Sequence, residues 1–234
     1  MKKDQSREQF SFIPILVVII VVLVSAIWYY GQTGSNQPPQ AKATNVNVNL
    51  DNDPYIGNVQ APIKLVYFFD YQCPFCRRFE EEVLPLIEKN YVATGKMVIY
   101  FRGNQFLGPD SITAGVAGQC LAKQIQNKKL SYDIFAQWQA AMMKAQGVEN
   151  SGWASAANIE KLTTSLNLNG IDSNQFNQCL DQRSTVNIVN EEAKANQAIG
   201  VDGTPSFLIN GNLYVGALPY GQFVQIFDRI LGQK

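Results

Sequence analysis

The chain contains no histidine. That removes histidine-assisted triads, imidazole metal ligands and imidazole proton shuttles together. It carries no net charge, with 19 basic and 19 acidic side chains. It has no basic stripe interleaved with aromatics, which argues against nucleic acid as a partner. No glycine-rich phosphate loop of either common type is present, and no internal repeat. Cysteine is scarce, with four residues in 234. Chemistry must therefore come from Cys, carboxylates, Lys, Tyr or the backbone, and no cofactor is called for.

Phe12 to Tyr30 is almost wholly apolar. It has about the ~20 residues that span a bilayer core as a helix. Lys2, Lys3 and Arg7 precede it and only Lys42 follows closely. That bias places the N-terminus in the cytoplasm and the remainder outside. Trp28, Tyr29 and Tyr30 suit the far interface. Residues 1–30 thus read as a transmembrane anchor. Val24-Ser25-Ala26 keeps open a cleaved signal peptide, in which case the protein is secreted. Both readings put the rest where disulfides persist, in the periplasm or at the cell surface. Residues 31–50, rich in Gly, Gln, Asn, Ser and Pro, read as a flexible linker. Within them Asn45–Leu50 alternates with period two, as an edge strand does.

Residues 51–234 read as one α/β domain. Ile63–Phe69 is an apolar run of strand length, and Met97–Phe101 a second strand. Helical spacing follows at Ile112, Val116, Cys120, Leu121 and Ile125, then at Ile134, Phe135, Trp138 and Met142. This block, about 110–182, is too long for one crossover and reads as an inserted helical subdomain. Asp172 and Gln175 form a capping box. Asn210-Gly211-Asn212 is a tight turn between two short strands, and a helix ends the chain.

Cys73-Pro74-Phe75-Cys76 stands between strand 63–69 and the helical run from Arg77. A thiol at a helix N-terminus is stabilised as thiolate by backbone N–H groups and the dipole. Two such thiols two residues apart make a reversible two-electron site. A zinc half-site needs two more ligands, and only Cys120 and Cys179 remain, neither in a second CxxC; no metal is expected. Outside the cytoplasm an even cysteine count favours a structural Cys120–Cys179 disulfide. The alternative is two separately buried thiols. Arg77, Arg78 and Glu80-Glu81-Glu82 read as a solvated helix face.

The order of elements resembles the thioredoxin superfamily. Within it, the CxxC segment, the helical insertion and Gly200–Gly211 with Thr204-Pro205-Ser206-Phe207 are similar to DsbA-type thiol:disulfide oxidoreductases. The resemblance frames residues 52–234. It implies a thioredoxin fold with a mixed central sheet, and disulfide formation in extracytoplasmic proteins. Cys73 would be the exposed cysteine that forms the mixed disulfide, and Cys76 the buried one that resolves it. Pro205 would be a cis-proline facing the site. Thr204 would bind a substrate strand, with Phe75 on the rim and Pro74 in support. Substrates would be cysteine-containing proteins, and reoxidation would use a quinone-linked membrane partner.

Two positions depart from the pattern. The residue before the second cysteine is His in the strongest oxidants and is Phe75 here. Many relatives carry a buried acid six residues before the first cysteine, where Tyr67 stands. Asp70 is the nearest acid, and strand spacing points its side chain elsewhere. The Cys73 pKa is expected in the upper half of the ~3.5–7.5 range of such thiols. The same residues would serve a reductase or isomerase. A tethered peptide-binding or chaperone module is the rival of another class, and its mark would be a lost cysteine.

Overall fold

Ile63–Phe69 forms strand β2 at the centre of a five-stranded sheet. Its alternation buries residues on both faces. Leu65, Tyr67 and Phe69 enter the main core, while Val66 and Phe68 enter a smaller one behind the sheet. Strand β1 is Tyr55–Gly57, β3 Met97–Gly103, β4 Ser206–Ile209 and β5 Asn212–Val215. The sheet order is β1-β3-β2-β4-β5. β2 runs parallel to β3 and antiparallel to β4. This mixed sheet with an inserted helical region is a thioredoxin-like α/β fold. Asn210 and Gly211, both with positive φ, close the β4–β5 hairpin, as a two-residue primed turn requires.

The computed structural model describes residues 39–232 together with positions 16, 18 and 20–23. Residues 1–38 and 39–234 are separate compact units. The described positions of the first unit are helical and exposed. Among the described residues no helix is long and apolar enough to cross a membrane. The rest of the expected anchor or signal segment lies outside the described residues.

Helix α1 (Pro74–Arg78) follows β2 directly and continues through a π-helical turn, Phe79–Val83, into α2 (Leu84–Ile87). Pro85 is the cause. It has no N–H for the Glu81 carbonyl and its ring crowds that carbonyl. The helix widens, and the Leu84 N–H bonds the Phe79 carbonyl instead, the i→i−5 pattern of a π-turn.

Helices α3 (Pro109–Lys128), α4 (Asp133–Lys144), α5 (Ala156–Ser165) and α6 (Ser173–Asp181) form the inserted block. α7 (Val186–Ala198) returns to β4, and α8 (Tyr220–Gly232) ends the domain. The Asp172 side chain accepts from the Gln175 N–H and caps α6.

Cys120 on α3 and Cys179 on α6 are joined by a disulfide, 59 residues apart in sequence. Closing a loop of that length removes unfolded-state entropy. Replacing both cysteines with alanine is expected to lower stability by about 4 kcal/mol on the chain-entropy relation, read as a shift in the urea midpoint. Exchange at the Cys73–Cys76 pair should continue in that variant below its transition.

Residues 41–50 do more than tether. The Lys42 N–H donates to the Leu213 carbonyl, the Leu213 N–H to Ala43, and the Val46 N–H to Gly211. Ala43, Val46, Val48 and Leu50 cover the second core of Val66, Phe68, Val201, Leu208 and Leu213. The alternation in Asn45–Leu50 is therefore a packing pattern. Its link to the sheet is a single bridge, Ala43 to Leu213, rather than an edge strand. The sequence reading saw the alternation but set it within a flexible linker, because apolar residues spaced among asparagines look like linker composition.

Candidate active site

Cys73 is the N-cap of α1 and Pro74 its first residue, where a missing N–H costs nothing. Cys76 follows at the first buried position of the helix. Both cysteines are free thiols. Cys76 has no exposed surface and Cys73 keeps only 4% of its own. The expectation of an exposed Cys73 is thus corrected. Its sulfur lies under the loop before β4, 3.2 Å from the Thr204 carbonyl oxygen. The solvent-facing surface is Phe75, 52% exposed, with the Arg78 guanidinium 5.8 Å over its ring.

The Thr204–Pro205 peptide is cis. Pro205 is buried and leads into β4, whose Phe207 stacks on Tyr67 of β2. The fold therefore brings Cys73, Cys76, Phe75, Thr204 and Pro205 together at one end of the sheet. Cys120 and Cys179 belong to the insertion. Among the described residues no cluster of three or more metal-ligating side chains occurs.

The two thiols differ sharply in acidity. The Cys73 pKa falls to about 6. Hydrogen bonding from the Cys76 thiol is the largest influence. Thr204 and the backbone N–H groups of Cys76 and Phe75 add to it against the opposing effect of burial. Burial pushes the Cys76 thiol well up, and the neighbouring Cys73 raises it further. One sulfur is thus a thiolate at neutral pH and the other a protonated thiol.

Neutral amides and one carboxylate set the frame of the Cys73 loop. Asp70 turns inward from the end of β2. Its Oδ2 accepts from the Phe106 and Leu107 N–H groups at 2.8 and 3.0 Å. Its Oδ1 accepts from the Gln72 N–H and the Ser111 hydroxyl. Gln72 in turn donates to Leu107 and Asn150 and accepts from the Asn150 N–H at 2.6 Å. Gln146 donates to the Tyr71 and Cys73 carbonyls at 2.7 and 3.1 Å. The helical insertion thereby grips the active-site loop from the side. Sequence reading missed these residues because glutamine in a loop carries no periodic signal.

Glu80 is the other omission, and here a correction is due. Glu81 and Glu82 are exposed, as a solvated face requires, but Glu80 is only 8% exposed. Cys76, Glu80, Leu84, Ile87 and Tyr91 recur every three or four residues and are all buried. That spacing was the available signal, hidden by the run of three glutamates.

A strand that delivers a CxxC to a helix, opposed by a cis-proline loop on the next strand, defines a dithiol–disulfide exchange site on a thioredoxin fold. The family model described as Thioredoxin matches residues 49–229, and the chain belongs to that family. It is a DsbA-like thiol:disulfide oxidoreductase. It is 31% identical to the probable disulfide bond formation protein D of Bacillus anthracis, over 68% of this chain and 70% of that protein. It is 24% identical to disulfide bond formation protein D of Bacillus subtilis, over 80% of each. Among solved structures, BdbD from Bacillus subtilis superposes with a TM-score of 0.69, covering 84% of this chain and 100% of that one. DsbA of Chlamydia trachomatis superposes with 0.71, covering 82% and 98%. Both are 20% identical to this chain, so they establish the fold alone.

Proposed function

We propose that this protein forms disulfides in proteins outside the cytoplasm, through Cys73 and Cys76. A substrate thiolate attacks the Cys73 sulfur of the oxidised pair, and the Cys73–Cys76 bond breaks. A second substrate thiolate attacks the substrate sulfur of the mixed disulfide and expels Cys73 as a thiolate. The substrate leaves oxidised and the pair is reduced. The carrying observation is the depressed Cys73 pKa, about 6. A thiol of low pKa is a good leaving group, and its stable thiolate favours the reduced form of the enzyme. That makes the disulfide an oxidant.

Thr204 and Pro205, in the loop that leads into β4 beside Cys73, would contact an extended substrate backbone, with Phe75 as an apolar rim. The Cys120–Cys179 disulfide supports a location where thiols are oxidised. Residues 1–30 would anchor the domain to the membrane. They would hold it near a quinone-linked membrane protein that reoxidises the pair, and tethering raises the effective concentration of such a partner.

Equilibration of the purified protein in glutathione buffers tests the direction. The Cys73–Cys76 potential is expected at or above about −150 mV, toward the ~−120 mV of strong oxidants. A value near about −270 mV, the scale of a reductase, would sink the oxidase reading.

A further inference from the structure

A substrate thiolate that attacks the Cys73 sulfur must first settle on the surface around it. Cys73 itself keeps only 4% of its surface, so that surface belongs to its neighbours. On the helix side it is Phe75, 52% exposed, and the exposed Arg78 three residues on. Side chains three apart on a helix lie side by side, and the Arg78 guanidinium stands 5.8 Å over the Phe75 ring. A cation over an aromatic face is held there electrostatically.

The helix offers Arg78 another place. Glu82 lies four residues on, within reach of an ion pair. The adjacent Arg77 makes that kind of contact, its Nε donating to Glu81 at 3.2 Å. Arg78 makes no ion pair among the described residues. Its guanidinium turns back toward the dithiol and rests on the ring instead. Glu80, the remaining acid of the run, points inward and accepts from Gln139 at 2.9 Å. Across the dithiol, the one charged side chain of the loop before β4 is Asp202, and it is paired with Lys42. Two charge pairs at this mouth are thus closed, and Arg78 stays open. Nor is its charge spent on the thiol. The strongest influences that lower the Cys73 pKa are the Cys76 thiol, Thr204 and backbone N–H groups.

We propose that Arg78, held over Phe75, is a specificity-determining residue: it favours substrate segments that carry a carboxylate side chain beside the reacting cysteine. The inference rests on the exchange reading above and names the substrates that this site prefers. A guanidinium is planar, always charged, and presents its N–H groups to a carboxylate as a fork. The ring beneath holds the guanidinium by its face and leaves its N–H edge for that contact. An apolar residue of the same segment would lie on the exposed part of Phe75. The exchange itself is unchanged. The substrate thiolate bonds to the Cys73 sulfur, and Cys76 leaves with the electron pair of the broken disulfide. Arg78 acts on which thiolate arrives and how fast, as charge complementarity does at other interfaces.

The test uses the oxidised full-length protein and two reduced dithiol peptides that differ only in Glu or Gln on either side of the first cysteine. The second-order rate of peptide oxidation is read by quenching in acid and counting the thiols left to alkylate. A neighbouring Glu also changes the acidity of the peptide thiol, and that effect is common to every enzyme variant. The quantity of interest is therefore the Glu-to-Gln rate ratio of the wild type divided by that of Arg78→Gln. At low salt it is expected at about fivefold, equal to ~1 kcal/mol, the upper end for an exposed ion pair. From about 0.01 M to about 1 M salt the screening length falls from about 30 to about 3 Å, and the quotient should approach one. Arg78→Glu should reverse the preference. Lys161→Gln, which removes the same charge from α5 in the insertion, should keep the wild-type ratio. The Cys73 thiolate should titrate at about 6 in every variant, as in the wild type. An Arg78→Gln ratio equal to that of the wild type overturns the proposal. So does a loss shared by Lys161→Gln, which would point to overall charge, or an equal slowing of both peptides, which would point to the thiol. Failure of the exchange reading looks different: the wild type would oxidise neither peptide.

Discussion

Cys76→Ser is expected to stop the enzyme halfway, accumulating a mixed disulfide between Cys73 and its substrate or glutathione. Cys73 keeps the groups that lower its pKa apart from the Cys76 thiol, so its thiolate still attacks. No second sulfur is then within reach to release the partner from the enzyme side. Cys73→Ser is expected to do the reverse and form no adduct at all. Cys76 has no exposed surface, and its thiol is protonated well above neutral pH. Oxidation of a reduced dithiol peptide should fall by at least about 10³-fold in either variant, as for loss of any member of a concerted set. Mass spectrometry of quenched reactions distinguishes the two: an adduct in the first, none in the second. Full dithiol oxidation by Cys73→Ser would end the assignment of roles.

The second large effect is on stability. Glu80 carries its proton in the folded protein up to a pH of about 8, against an ordinary value of 4.5. Below 4.5 both states are protonated and the group is neutral to folding. Between 4.5 and 8 the unfolded chain ionises while the folded one does not, so folding stability falls as pH rises. At ~1.4 kcal/mol for each pH unit, the interval amounts to at most about 5 kcal/mol. Glu80→Gln removes this loss, and the variant should gain on the wild type steadily from pH 5 to pH 8 in urea unfolding. Cys73 titrates the other way. Its lowered pKa adds stability to the reduced protein above about 6, so only the difference between the two proteins isolates Glu80. Parallel stability curves would mean that Glu80 ionises as freely in the fold as out of it.

Much of the site is legible in the chain. A strand-length apolar run, a CxxC and a helical run are contiguous, and Thr204-Pro205 opens a strand that pairs with the first. Periodicity finds such features because burial on a strand or helix repeats. What it does not find is set by contacts distant in sequence. Asp70 ends a strand and turns inward because the Phe106 and Leu107 N–H groups wait there. Gln72, Gln139 and Gln146 hold the loop and the carboxyl through neutral amides, which leave no pattern. Glu80 was masked by its neighbours Glu81 and Glu82, although Cys76 and Leu84 mark its face.

The short strap at Lys42–Val46 has a bearing on the company this enzyme keeps. A catalyst of disulfide exchange acts on the cysteines of other protein chains. β5 is the outermost strand on its side, and an open strand edge invites pairing with another chain. Lys42, Ala43 and Val46 occupy the backbone groups of Leu213 and Gly211, and Lys42 is further fixed by an ion pair to Asp202. On the opposite flank β1 is only three residues long. One border of the sheet is thus covered and the other short, so neither offers a long template for a further strand.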